Sequence, residues 1–94
     1  MTSRFRVDFN ELVESNLVLL AKSDVTPDIH GTPVRLFEGL RIEIIEENAY
    51  DDGTLEILFA EGVVEANTHG PSWTQAAAWC CRIDATGIRD IGAG

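Results

Sequence analysis

Long apolar runs are missing from this chain. The longest, Ala76–Cys81, has six residues, far short of the roughly 20 that a membrane-crossing helix needs. An export signal requires about 7–15 apolar residues behind a basic start. Met1–Asn10 instead alternates Arg4, Arg6 and Asp8 with single apolar side chains. The expectation is a cytoplasmic chain without membrane contact. Basic residues are also scarce: 7 Lys and Arg stand against 16 Asp and Glu, a net charge of −9. Between Glu38 and Glu65 nine acids face a single base, Arg41. Nucleic-acid binding relies on Lys and Arg displacing counterions from phosphates, so no nucleic-acid partner is expected. A field of this sign suits a basic protein partner.

Metal and redox signatures are absent as well. The two cysteines, Cys80 and Cys81, are adjacent and follow Trp79. Neighbouring Cα atoms lie about 3.8 Å apart, below the usual disulfide range of roughly 4.4–6.8 Å. Redox pairs carry a C-x-x-C spacing, and zinc wants about four ligands. The chain adds only His30 and His69, each among loop residues. A calcium-loop register around Asp52-Gly53 puts Tyr50 and Phe59 where carboxylates are required. No phosphate-cradling glycine loop, dinucleotide fingerprint or nucleophile elbow occurs. A non-catalytic protein without metal or cofactor is expected. A thiol or metal protein built on Cys80, Cys81 and a histidine is the alternative from another class.

What the chain does have is short extended runs separated by turns. With 94 residues it forms one domain, residues 1–94. Asp8-Phe9-Asn10-Glu11 has the form of a capping box, and Phe9, Leu12 and Val13 share a helical face, which predicts a short N-terminal helical turn. Leu17–Ala21 reads as a strand buried on both sides. Asp24–Thr32, with Pro27 and Gly31, reads as a loop. After Val34-Arg35-Leu36 and a bend at Gly39, Leu40–Ile44 alternates strictly, the clearest strand of the chain. Asn48–Thr54 is a turn with Asp52-Gly53 at its tip. Leu55–Ala66 reads as one strand kinked at Gly62, where the buried face changes over. Asn67–Gln75 is a loop around Gly70-Pro71.

Residues 73–84 fit two patterns. As a helix, Ala76, Trp79, Cys80 and Ile83 share a face. As a strand, Trp79, Cys81 and Ile83 face one way and Cys80 the other. Trp, Cys and Ile are poor helix formers and the surroundings are β, which favours the strand. Its thiols then diverge, with Cys81 in the core and Cys80 an incidental surface thiol. A tight turn at Asp84–Gly87 leads into a closing strand, Ile88–Ile91.

The order of these elements, with the long loop after the first strand, "FEGLRIEI", "AEGVVEA" and the link "DATG", resembles a small SH3-like barrel. The fold expected is all-β, a barrel of about five strands with its core over residues 17–91. The resemblance implies a domain that binds rather than catalyses. With one tyrosine, an aromatic groove for proline-rich peptides is not recognisable. Trp73, in a Gly-Pro loop, is a candidate contact because Trp is enriched at binding hot spots. Its alternative role is to fold back over a barrel end. Tyr50, Asp51 and Asp52 in the hairpin tip are further candidate partner contacts. An immunity-type inhibitor that masks a basic toxin is the second binding function considered.

Overall fold

Side-chain alternation along paired strands decides this architecture. The computed structural model describes residues 2–67 and 78–91, and every structural statement here concerns those residues. The strands are β1 (Arg4–Arg6), β2 (Leu12–Glu14), β3 (Leu17–Ala21), β4 (Val25–Pro27), β5 (Pro33–Arg35), β6 (Arg41–Ala49), β7 (Leu55–Ala66), β8 (Trp79–Ile83) and β9 (Arg89–Asp90). Seven form one mixed sheet in the order β1-β6-β7-β8-β3-β2, with β9 on β7 beside β8, while β4 and β5 make a separate ribbon. β1 runs parallel to β6, and the other pairs are antiparallel. The fold is all-β.

β6 and β7 carry the molecule. Their register runs from Arg41↔Val63 to Ala49↔Leu55 without a shift. Alternation therefore sorts the strands into two faces. Phe5, Val18, Ile42, Ile44, Ala60, Val64, Cys81 and Ile83 point inward to the main core, joined by Phe9 and Leu36. The opposite face holds Ile45 and Phe59, both buried, and a smaller cluster of Leu17, Leu19 and Cys80. Leu17–Ala21 is thus buried on both sides, as its unbroken apolar run requires.

Several sequence expectations need correction. No helical turn forms after Asp8. The Asn10 N–H donates to Asp8 Oδ1 at 2.9 Å and the Glu11 N–H to the Asp8 carbonyl at 2.9 Å. The same short polar side chain that caps helices here closes a turn. The chain then enters β2, where the Glu11 carbonyl accepts from the Leu19 N–H at 3.1 Å. The stretch Asp24–Thr32 is not wholly loop, because β4 pairs β5 through Val25↔Arg35, Thr26↔Val34 and Pro27↔Pro33. The strands number nine rather than about five, and their order is open, with β1 and β2 at its ends.

The buried face does not change over at Gly62. The even-numbered series Ala60, Gly62, Val64 is buried straight through it. A Cβ at Gly62 would fall on the Arg82 carbonyl and 2.8 Å from Cys81 Sγ. Glycine is there because β8 passes too close for a side chain. The Asp52-Gly53 tip does form: Gly53 has φ +86°, and the Tyr50 N–H donates to the Thr54 carbonyl at 2.9 Å. Trp79–Ile83 is a strand, with the sulfurs on opposite faces. Cys80, however, is fully buried rather than a surface thiol.

Candidate functional site

The outer face of the sheet carries charge in cross-strand register. Arg4 meets Glu43 at 3.0 Å, Arg6 meets Glu47 at 3.3 Å, and Arg41 reaches Glu61 at 3.4 Å and Asp84 at 2.9 Å. Arg82 pairs with Glu65 at 2.7 Å and Glu14 at 3.3 Å, and Arg89 with Glu61 at 3.6 Å. Arg4 and Arg89 also lie 5.2 and 5.1 Å from the centroid of the Phe59 ring, within cation–π range. Five of the seven bases are thereby engaged with six of the sixteen acids.

Part of the excess negative charge gathers at the end of the β6–β7 hairpin. Tyr50, Asp51 and Asp52 lie together in its tip, between Ala49 and Leu55. Tyr50 is 52% exposed, and its hydroxyl donates to Glu56 Oε1 at 3.0 Å. That bond holds the phenol above its ordinary range, and the charges of Glu56, Glu46 and Asp90 add to the effect. These groups share the inner-side parity of the strands beyond the end of the core. Asp52 Oδ1 accepts from the Thr54 N–H at 2.9 Å, and hydrogen bonding to Thr54 keeps its carboxyl below the usual range. Glu46 accepts from the Phe9 N–H at 2.6 Å. No basic side chain of the described residues is ion-paired to Glu46, Asp51, Asp52 or Glu56. An exposed phenol thus sits in an acidic frame.

The cysteines have the opposite character. Burial, aided by the charges of Asp84, Cys80 and Glu65, pushes the Cys81 thiol up to about 12. Cys80 is also raised, chiefly by burial and then by Glu65. Reactive thiols are exposed and held low, so both environments oppose nucleophilic chemistry. Among the described residues no group of three or more His, Cys, Asp and Glu is placed to hold a metal ion. His30 lines a polar cleft of about 500 Å³ with Asp28, Arg4 and Glu43. Asp28 Oδ1 is occupied by the His30 and Thr32 N–H groups at 2.8 and 3.0 Å, and Arg4 is paired with Glu43.

Of the candidate contacts, Tyr50, Asp51 and Asp52 are brought together. Trp73 and His69 lie outside the described residues. Sequence reasoning missed the exposed Phe37 and Val25 of the β4–β5 region, because β4 was hidden inside a stretch dominated by turn residues. No helix of the described residues is long and apolar enough to cross a membrane. Compared with known proteins, the chain matches no family model, no curated sequence and no solved structure.

Proposed function

We propose that this protein is a non-catalytic, cytoplasmic interaction domain that binds a basic protein partner through the end of the β6–β7 hairpin. The observation that carries this reading is the distribution of charge. Five of the seven bases are spent on internal pairs along one face, and Tyr50 lies with Asp51, Asp52, Glu56 and Glu46 at the hairpin end without one. An aromatic ring in a frame of one charge sign gives both contact area and steering. Trp73 remains a second proposed contact. The SH3-like character belongs to the same proposal. It is supported by the long connection from β3 to β6 that contains the β4–β5 ribbon, by the β6-β7-β8 meander, and by the single-turn link from β8 into β9.

A fluorescein-labelled oligolysine tests the site by anisotropy. Binding is expected to weaken by about tenfold in the Asp51→Asn/Asp52→Asn double substitution, and to fall with added salt as screening increases. Tyr50→Ala is expected to weaken it further. Glu38→Gln, which removes one charge before the opposite end of β6, should have little effect. Equal losses at Glu38 and at the tip would reject a localised site.

A further inference from the structure

The β4–β5 ribbon presents a surface of different chemistry. Its inward side chains, Thr26 and Val34, are half-buried, and Leu36, which follows β5, lies in the main core. The opposite side is formed by Pro27 across from Pro33 and Val25 across from Arg35, with Phe37 two residues further along the same parity. All five are exposed, Val25 by 48% and Phe37 by 54%. The register makes the first four contiguous.

Arg35 stands in the middle of this surface. It and Lys22 are the two bases with no ion pair among the described residues. On a chain of net charge −9, a guanidinium left unpaired beside an exposed aromatic ring is a position that self-pairing has not consumed. Apolar patches of this kind on small proteins mark contact sites, and Phe and Arg are enriched in them. Covering Phe37 and Val25 would also desolvate Arg35, and a buried guanidinium needs a carboxylate.

We propose that the outward face of the β4–β5 ribbon is a second docking surface, and that its occupant is a protein segment carrying a carboxylate between aromatic or aliphatic side chains. The charge required there is opposite to that required at the hairpin end. The protein then joins two partners of unlike chemistry rather than masking one.

The test uses a fluorescein-labelled peptide alternating Asp with Phe and Leu, compared with an analogue in which Lys replaces Asp and one in which Ser replaces Phe and Leu. At physiological salt the Asp–Phe–Leu peptide should bind at least about tenfold more tightly than the Ser analogue. Arg35→Glu and Phe37→Ser should each remove about that factor, and Tyr50→Ala should leave binding unchanged. Both substituted side chains are exposed, so an unchanged melting temperature verifies the fold. Peptide binding that is indifferent to Arg35→Glu and Phe37→Ser would overturn the proposal. Equal binding of the Asp and Lys peptides would overturn its charge assignment. Self-association of the protein that Arg35→Glu abolishes would assign the face to a second copy instead and likewise overturn it.

Discussion

Gly62→Ala tests the packing of β7 against β8 by the sign of its effect. Gly62 has no positive φ, so alanine fits the backbone. By chain entropy alone, the substitution would stabilise the protein by about 0.4–1 kcal/mol. The structure reverses that sign. The new methyl carbon would overlap the Arg82 carbonyl oxygen and stand 2.8 Å from both Arg82 C and Cys81 Sγ. Ordinary contact requires β8 to retreat by about 1 Å, in an interior packed too densely to yield freely. β8 cannot move alone, because Cys80, Cys81 and Ile83 are all buried and the strand is paired to β3 as well as to β7. Overpacking costs about 1–3 kcal/mol, and with main chain as the obstacle the upper end applies. A loss of about 3 kcal/mol corresponds to a fall in Tm of roughly 12–24 °C for a domain of this size. Urea unfolding followed by tryptophan fluorescence measures it. An alanine variant as stable as the parent, or more stable, would refute the close approach of the two strands.

Two further outcomes follow from the same sheet. Both thiols should resist Ellman's reagent in the native protein and react fully after denaturation. Above the ordinary thiol value of 9.0, the unfolded chain ionises Cys81 while the folded chain holds its proton until about 12. Its contribution to stability is therefore complete below pH 9 and lost between about pH 9 and 12, a decline that Cys81→Ala should reduce in denaturant titrations across that range. Arg82 binds Glu65, Asn16 and Glu14 together, joining β7 and β8 to β2 and the turn that follows it. Arg82→Met should cost about 1–2 kcal/mol, with the difference from the parent shrinking at high salt if the pairs are its source.

Much of this sheet is legible in the sequence. Leu40–Ile44 announces its buried side because its alternation is strict, and Ile42 and Ile44 are indeed fully buried. Asp52-Gly53 announces the tip because a residue at φ +86° favours glycine. The divergence of Cys80 and Cys81 follows from period-two geometry alone. The burial of Cys80 does not, because it depends on Leu17, Leu19 and Val13 meeting it across β3 and β2. Tertiary pairing supplies that contact. The charge ladder was hidden for the same reason: Arg4 and Glu43 are 39 residues apart, and only the parallel register of β1 on β6 reveals them as neighbours. At Asp8 the local pattern was ambiguous, since a carboxylate that caps a helix also closes a turn. In the ribbon, two prolines and a glycine masked strands of three residues each.

The hairpin end is proposed as the place where this acidic chain receives a basic protein. Amide chemical shifts of the ¹⁵N-labelled protein, followed while unlabelled oligolysine is added, address it most directly. The largest changes should fall on residues 46–56 and on Asp90, with little change in residues 25–37. Changes spread evenly over all exposed acids, or concentrated on Glu38 and Asp28 rather than the hairpin end, would contradict it.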